Sequence, residues 1–254
     1  MSTQNGETAG TEANALPPTA RARARQQITQ EILTAARTRL RDEGPSQLSL
    51  RAVARDVGMV SSAVYRYFSS RDELLTALLV EAYNELGAAA WQADAQVIDR
   101  EDTLQRWMAV GRSAREWALE HPGDYALLYG TPVPGYAAPS ETVGPASRIP
   151  LLLARIVSDA YTADPGRAPA PSPTHVSVPV VDAVEGAREI LANNGLAAAI
   201  PENSDAVMLM IMAWSGLFGT LSFELFGHSA GSVTDNAAYV DHVMFRYADL
   251  LGLT

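Results

Sequence analysis

Apolar residues recur three and four positions apart along nearly the whole chain, and no stretch alternates with a period of two. That spacing lines one face of a helix and offers nothing to a half-buried strand, so the pattern predicts an all-α protein. The first predicted helix covers 26–43, with Ile28, Ile32, Ala35, Ala36 and Leu40 on one side and Gly44-Pro45 as its stop. Arg21, Arg23 and Arg25 precede it as a basic arm. Short helices are expected at 50–57 and 61–68, then a long one to residue 97, opened by the S-x-x-E capping box of Ser70 and Glu73. Further helices are predicted at 101–120, from Pro122 through Tyr129, and at 149–160, 180–193, 204–226 and 234–251. Two breakers interrupt them: the four-proline run TPVPGYAAPSETVGP, and a Pro-rich loop at 162–175 with little prospect of packing.

The most specific stretch is 44–75. Leu50, Val53, Ala54 and Val57 form one buried stripe, and Gly58 follows where positive φ ends a helix. Val64 and Phe68 hold the next helix on the same small core, which leaves Ser61, Ser62, Tyr65, Arg66 and Tyr67 projecting outward. This is the layout of a helix-turn-helix DNA reader, an N-terminal three-helix domain joined to a larger helical one. Ser61, Ser62 and Arg66 are the expected base readers, with Val60 and Ala63 able to touch thymine methyl groups. Ser61 either caps its helix or meets a base, and Arg66 grips guanine or phosphate. Ser49 and Arg51 are phosphate candidates at a helix start, with Ser49 equally able to be a plain cap.

Residues 206–223 contain no charge over a length that could span a membrane. Asp205 and Glu224 flank the run, no cation lies between Arg188 and Arg246, and small polar residues punctuate it. A helix buried on all sides fits better, one face on its own core and another on a second subunit. Val207, Ile211, Trp214, Phe218 and Leu221 make a heptad-like stripe, and Val240, Val243, Met244 and Tyr247 make its match. Two such helices from each of two chains predict a homodimeric four-helix bundle, with Gly216 and Gly219 permitting close approach.

Charge changes the picture in one respect. The chain carries −10, yet from Arg21 to Arg71 ten Arg face Glu31, Asp42, Glu43 and Asp56, a net +6 that leaves −16 for the remainder. One basic end on an acidic protein suits a polyanion met at that end only. Cysteine is absent, so disulfide and thiolate chemistry are excluded. Residues 1–20 read as a disordered tail without the apolar core of a signal peptide, and a cytoplasmic location is expected. His121, His175, His228 and His242 show no metal-ligand spacing, and no nucleotide, hydrolase or zinc motif occurs, so no cofactor, metal or catalytic residue is expected.

Gly44, Leu50, Val53-Ala54, Val57-Gly58, Ser61, Val64-Tyr65, Tyr67-Phe68, Arg71 and Leu74-Leu75 stand at the spacing of one family, and residues 26–75 resemble the DNA-binding domain of TetR-family transcriptional regulators. HPGDYALLYG at 121–130 and AWSGLFGTLSFELFGH at 213–228 look like the family's WHG-type ligand-binding and dimerisation region. The resemblance implies a dimeric, ligand-responsive repressor that leaves a palindromic operator when a small molecule binds at 76–254, tilting the helix after Ser70. It implies phosphate contacts for Tyr65, Tyr67 and Arg71. The pocket candidates are Trp107, Tyr125, Tyr129, Met208, Met212, Trp214 and Phe218, since aromatics and methionines enclose apolar ligands, although the same residues also serve as core. Two other classes stay open: a helical small-molecule carrier or enzyme with a non-functional DNA-binding fold, and a membrane-attached helical protein.

Overall fold

The structure, a computed structural model, describes residues 19–171 and 183–254. Among them are eleven α-helices and no strand. The tail up to residue 18 and residues 172–182, with His175, the end of the Pro-rich loop and the expected helix start at 180, lie outside the described residues.

α1 (Ala20–Glu43) begins six residues before the predicted start, so Arg21, Arg23 and Arg25 are helical and form no extended arm. The reason is local: Ala and Arg both favour helix, and the Thr19 hydroxyl accepts from the Ala22 N–H at 3.2 Å as a cap. Ile32, Leu33, Ala36 and Leu40 are its buried face. α2 (Leu50–Asp56) ends at Gly58 (φ +68°). The Met59 N–H reaches Ala54 O and the Gly58 N–H reaches Arg55 O, satisfying the end of the helix as a Schellman pair. α3 is shorter than predicted, Ser61–Val64, with Arg66 and Tyr67 drawn into i to i+3 turns that bring Phe68 onto the core.

α4 (Arg71–Gln96) is unbroken. Ser70 Oγ caps Glu73 N–H, while the Glu73 carboxylate reaches back to the Ser69 N–H and hydroxyl, one residue earlier than a strict capping box. Leu74, Leu75 and Leu78 join α1 to α3 in a first hydrophobic core, and Ala82, Leu86 and Ala90, further along the same face, join a second. That larger core is built with α5 (Thr103–Glu120), α6 (Pro122–Tyr129), α8 (Arg148–Ala163), α9 (Glu185–Asn193), α10 (Ala206–Leu225) and α11 (Asn236–Leu250), while the single-turn α7 (Val143–Ala146) lies against α4 and α8 outside it. The Trp107 indole N–H donates to Met244 O at 3.0 Å, tying α5 to α11. Arg106, almost fully buried, bridges Asp94 of α4 and Asp159 of α8 at 2.8 and 2.9 Å. Part of the Pro-rich loop does pack: the peptide of Arg167 lies against Gly252, where a Cβ would sit 2.2 Å from its carbonyl oxygen.

Candidate nucleic-acid interface and effector region

Around α3 the outward side chains are Arg51, Val60, Ser62, Tyr65 and Arg66, with Val60 70% exposed although it is apolar. Ser49 and Ser61 are half-buried, and neither hydroxyl caps its helix, which leaves both available to a partner. Ala63 is buried on the core and cannot reach a thymine methyl group. Tyr67 is half-buried against the first core and lies under the Arg25 guanidinium, 5.0 Å from its ring centre. Its ring therefore has a packing role that exposure alone did not reveal.

The basic segment is less available than its count suggests. Arg39 grips Asp56 of α2 through Nε and Nη2, at 2.5 and 3.0 Å, and also pairs with Glu43. Arg71, expected on phosphate, donates from Nε to Leu48 O and from Nη2 to Pro45 O and Ser46 O, at 2.9, 3.0 and 3.1 Å. Three backbone acceptors of the 45–48 turn compete for the fork that a phosphate would use, so its position is that of a pin between the turn and α4. Arg51 and Arg66 carry no ion pair among the described residues.

The proposed pocket aromatics divide. Tyr125, Tyr129 and Phe218 pack on one another, Tyr129 and Phe218 stacked at 4.1 Å, and Tyr83 of α4 meets Tyr129 edge-on at 6.2 Å. The Tyr125 hydroxyl donates to Phe218 O at 2.7 Å, and burial pushes its pKa up to about 12. With Trp107 fully buried, these residues pack into the core of the described chain. Met208 packs on the core's edge and Met212 faces outward. Trp214 does line a cavity, one of about 310 Å³ between α7, α8, α9 and α10, and its indole N–H is buried without an acceptor. The other walls come from Val143, Pro150, Leu151, Ile190 and Met210, which periodicity could not join because they lie in four separate segments.

The dimer stripe needs a correction. Val207, Phe218 and Leu221 on α10, and Val240 and Met244 on α11, are buried within the single chain. Tyr247 packs on Gly216 of the same chain, where a Cβ would come within 2.5 Å of its hydroxyl oxygen. Ile211, Trp214 and Val243 are half-buried. A helix apolar all round carries no periodic signal to say which face turns inward. The outward apolar residues are Met212, Phe223 and Phe226 with Tyr239, Phe245 and Leu250, and Gly219 is exposed between Met212 and Phe223.

Sequence reading also missed the junction between the two cores. Arg37 of α1 hydrogen-bonds Glu85 and faces Glu81 and Asp124 at 3.6 Å, one cation among three carboxylates. Burial alone would lower its pKa, but the Glu85 hydrogen bond and the three negative charges hold it raised. Tyr136 and Val133, in the four-proline run, pack on the first core, and the Tyr136 hydroxyl lies 2.8 Å from Thr76 Oγ1.

The family model described as "Bacterial regulatory proteins, tetR family" matches residues 32–78, and "Tetracyclin repressor-like, C-terminal domain" matches 107–247. The HTH-type transcriptional regulator Rv1816 of Mycobacterium tuberculosis is 39% identical over 226 residues, covering 86% of this chain and 89% of that protein. A solved regulatory protein, SCO4313, superposes with a TM-score of 0.67 at 30% identity, covering 91% of this chain and all of the other. RolR, solved in complex with the ligand resorcinol, shares the fold with a TM-score of 0.50 at 15% identity, covering 91% and 95% of the two chains. With its helix-turn-helix face, its two cores on one α4, and matches to both halves, the chain belongs to the TetR family of bacterial transcriptional regulators.

Proposed function

We propose that the chain is a homodimeric repressor that holds a palindromic operator in the cytoplasm and releases it when a small molecule binds the C-terminal region. Residues 21–75 act as the reader and 76–254 as the effector and dimerisation unit. The observation that carries this reading is α4: one unbroken helix contributes Leu74, Leu75 and Leu78 to the reading core and Ala82, Leu86 and Ala90 to the other. A change in the second core therefore tilts a rod that is part of the first, and the two recognition elements of a dimer move relative to each other. The release requires an effector that favours the geometry of low DNA affinity.

Ser61, Ser62 and Arg66 are assigned to base edges with Val60 against a methyl group, and Ser49, Arg51, Tyr65 and Tyr67 to the phosphates beside them. The second copy docks through the outward apolar residues of α10 and α11, where Phe223 and Tyr239 stand 57% and 46% exposed. A protomer with one short recognition helix reads only about four base pairs, which makes a second copy necessary for a unique site. The test is selection of bound duplexes from a random pool by the full chain. Inverted half-sites spaced by a whole number of helical turns are expected; enrichment of lone half-sites, or of nothing, overturns the reading.

A further inference from the structure

The cavity beside Trp214 has no charged residue in its wall. Across α7 lies a second cavity of about 270 Å³, bounded by Leu79 and Tyr83 of α4, by α6 and by the 130–138 loop, and it too is uncharged. Thr142 and Ala146 line both, so a single helical turn separates the two spaces. The hydroxyls in this partition are already committed: Thr142 Oγ1 donates to Pro139 O and Ser147 Oγ to Val143 O, each at 2.8 Å. The buried side-chain donor in these walls that lacks an acceptor is the Trp214 indole. Two other cavities among the described residues are ionic, one rimmed by Glu185, Arg188, Glu189 and Glu202, another by Arg100, Arg106, Asp159 and Asp164.

An ion moved into the uncharged cleft would lose its hydration and find no counter-charge, whereas an apolar body loses nothing and covers apolar wall. The far end of the cleft is also where the reading core begins, since Val133 and Tyr136 line the second cavity and pack on that core, Tyr136 through its contact with Thr76.

Resting on the ligand-released reading above, we propose that the effector is an uncharged, predominantly apolar small molecule bound on either side of α7, and that Tyr136 carries its presence to the DNA-binding core. Anionic metabolites such as phosphate esters and carboxylates are excluded as effectors at this site. Entry of such a molecule displaces the 130–138 loop or α7, and both lie against α4.

The test uses two probes of one skeleton on the full chain without DNA: uncharged N-phenyl-1-naphthylamine and its anionic sulfonate, 8-anilino-1-naphthalenesulfonate. The uncharged probe is expected to saturate at one per protomer, at least tenfold tighter than the sulfonate. Ala146→Trp, at a half-exposed position, is expected to weaken it at least tenfold with helical content unchanged. Leu151→Arg places a cation in the wall and is expected to shift the preference towards the sulfonate. Equal affinity for the two probes, or uncharged binding untouched by both substitutions, overturns the assignment of the ligand class. On the selected operator, Thr76→Val, which removes the hydroxyl partner of Tyr136 from outside both cavity walls, is expected to bind the uncharged probe within twofold of the parent but to resist release by it. A variant released as readily as the parent overturns the Tyr136 route, whereas a parent that binds the probe and keeps its operator affinity overturns the ligand-released reading and leaves the ligand class standing.

Discussion

Arg37 Nε stands 3.6 Å from Asp124 Oδ1, so a cation on the first helix of the reading core faces a buried carboxylate on α6. Neither atom makes a hydrogen bond, and the contact is electrostatic across the seam between the two cores. Burial holds the Asp124 carboxyl above the ordinary carboxylate range; Arg37 and His121 oppose the rise and Glu85 adds to it. Glu81, on the other side of Arg37, is also raised, first by burial.

A raised carboxyl favours the protonated fold. Its contribution to stability is full below the unfolded pKa of about 4 and is lost as pH rises through the folded value. Asp124→Asn is therefore expected to melt higher than the parent at pH 7, with the gain shrinking below the folded pKa and gone under about pH 4. A variant that melts lower at pH 7 would mean that the attraction to Arg37 outweighs desolvation.

Removing the cation is the opposite case, because it strands the carboxylates. Arg37→Met is expected to cost about 2 kcal/mol, less than the ~3–5 of a fully buried pair because Arg37 keeps some solvent. The loss should be smaller in an Asp124→Asn background, and a double-mutant cycle from denaturant unfolding measures that coupling. Additive losses would show that the two groups do not interact.

Gly123 opens α6 where it crosses α1, and a Cβ there would lie 2.9 Å from both N and Cα of Arg41. Backbone cannot rotate out of the way, so Gly123→Ala must push the two helices apart. Its melting temperature is expected to fall, and amide exchange to quicken in α1 and α6 ahead of α11. Uniform exchange along the chain would refute a local wedge.

On the operator the two arginines that sequence treats alike should separate. Arg51→Ala is expected to weaken binding to all sequences and to reduce the salt slope by about 0.9. Arg71→Ala is expected to leave the slope unchanged and cost about 2 kcal/mol of folding stability, since its hydrogen bonds go to the chain's own carbonyls.

Phe223 and Leu221 sit two residues apart on α10, one outward and one fully buried. Phe223→Asp is expected to give a folded monomer in sedimentation, and Leu221→Asp to unfold. A dimeric Phe223→Asp would place the second copy on another face.

Much of the fold was legible because caps and breakers are local. Gly58, Ser70 and Pro122 each mark a helix end within a residue or two of where it stands. The short α7 was not legible, since it is one turn inside a proline run and is held by tertiary contact with α4 and α8. On the reading face the outward set was visible from spacing, but the inward turn of Arg71 was not, because its acceptors lie 23 to 26 residues earlier. The uncharged cleft beside Trp214 was legible least, as its walls combine helices that meet only in three dimensions, and the aromatics that stand out in composition pack on one another instead.

The side chains of Val60, Ser62, Tyr65 and Arg66 make no hydrogen bond to the rest of the described chain. Substituting them changes the outward face around α3 without disturbing the interior. Val133 and Tyr136 have no such liberty, because each belongs to a cavity wall and to the reading core at once. On the roles proposed above, descendants of this protein drift to new operators through single replacements, whereas a new effector demands compensated changes on both sides of the seam. Operator preference should diverge faster than ligand choice in its lineage.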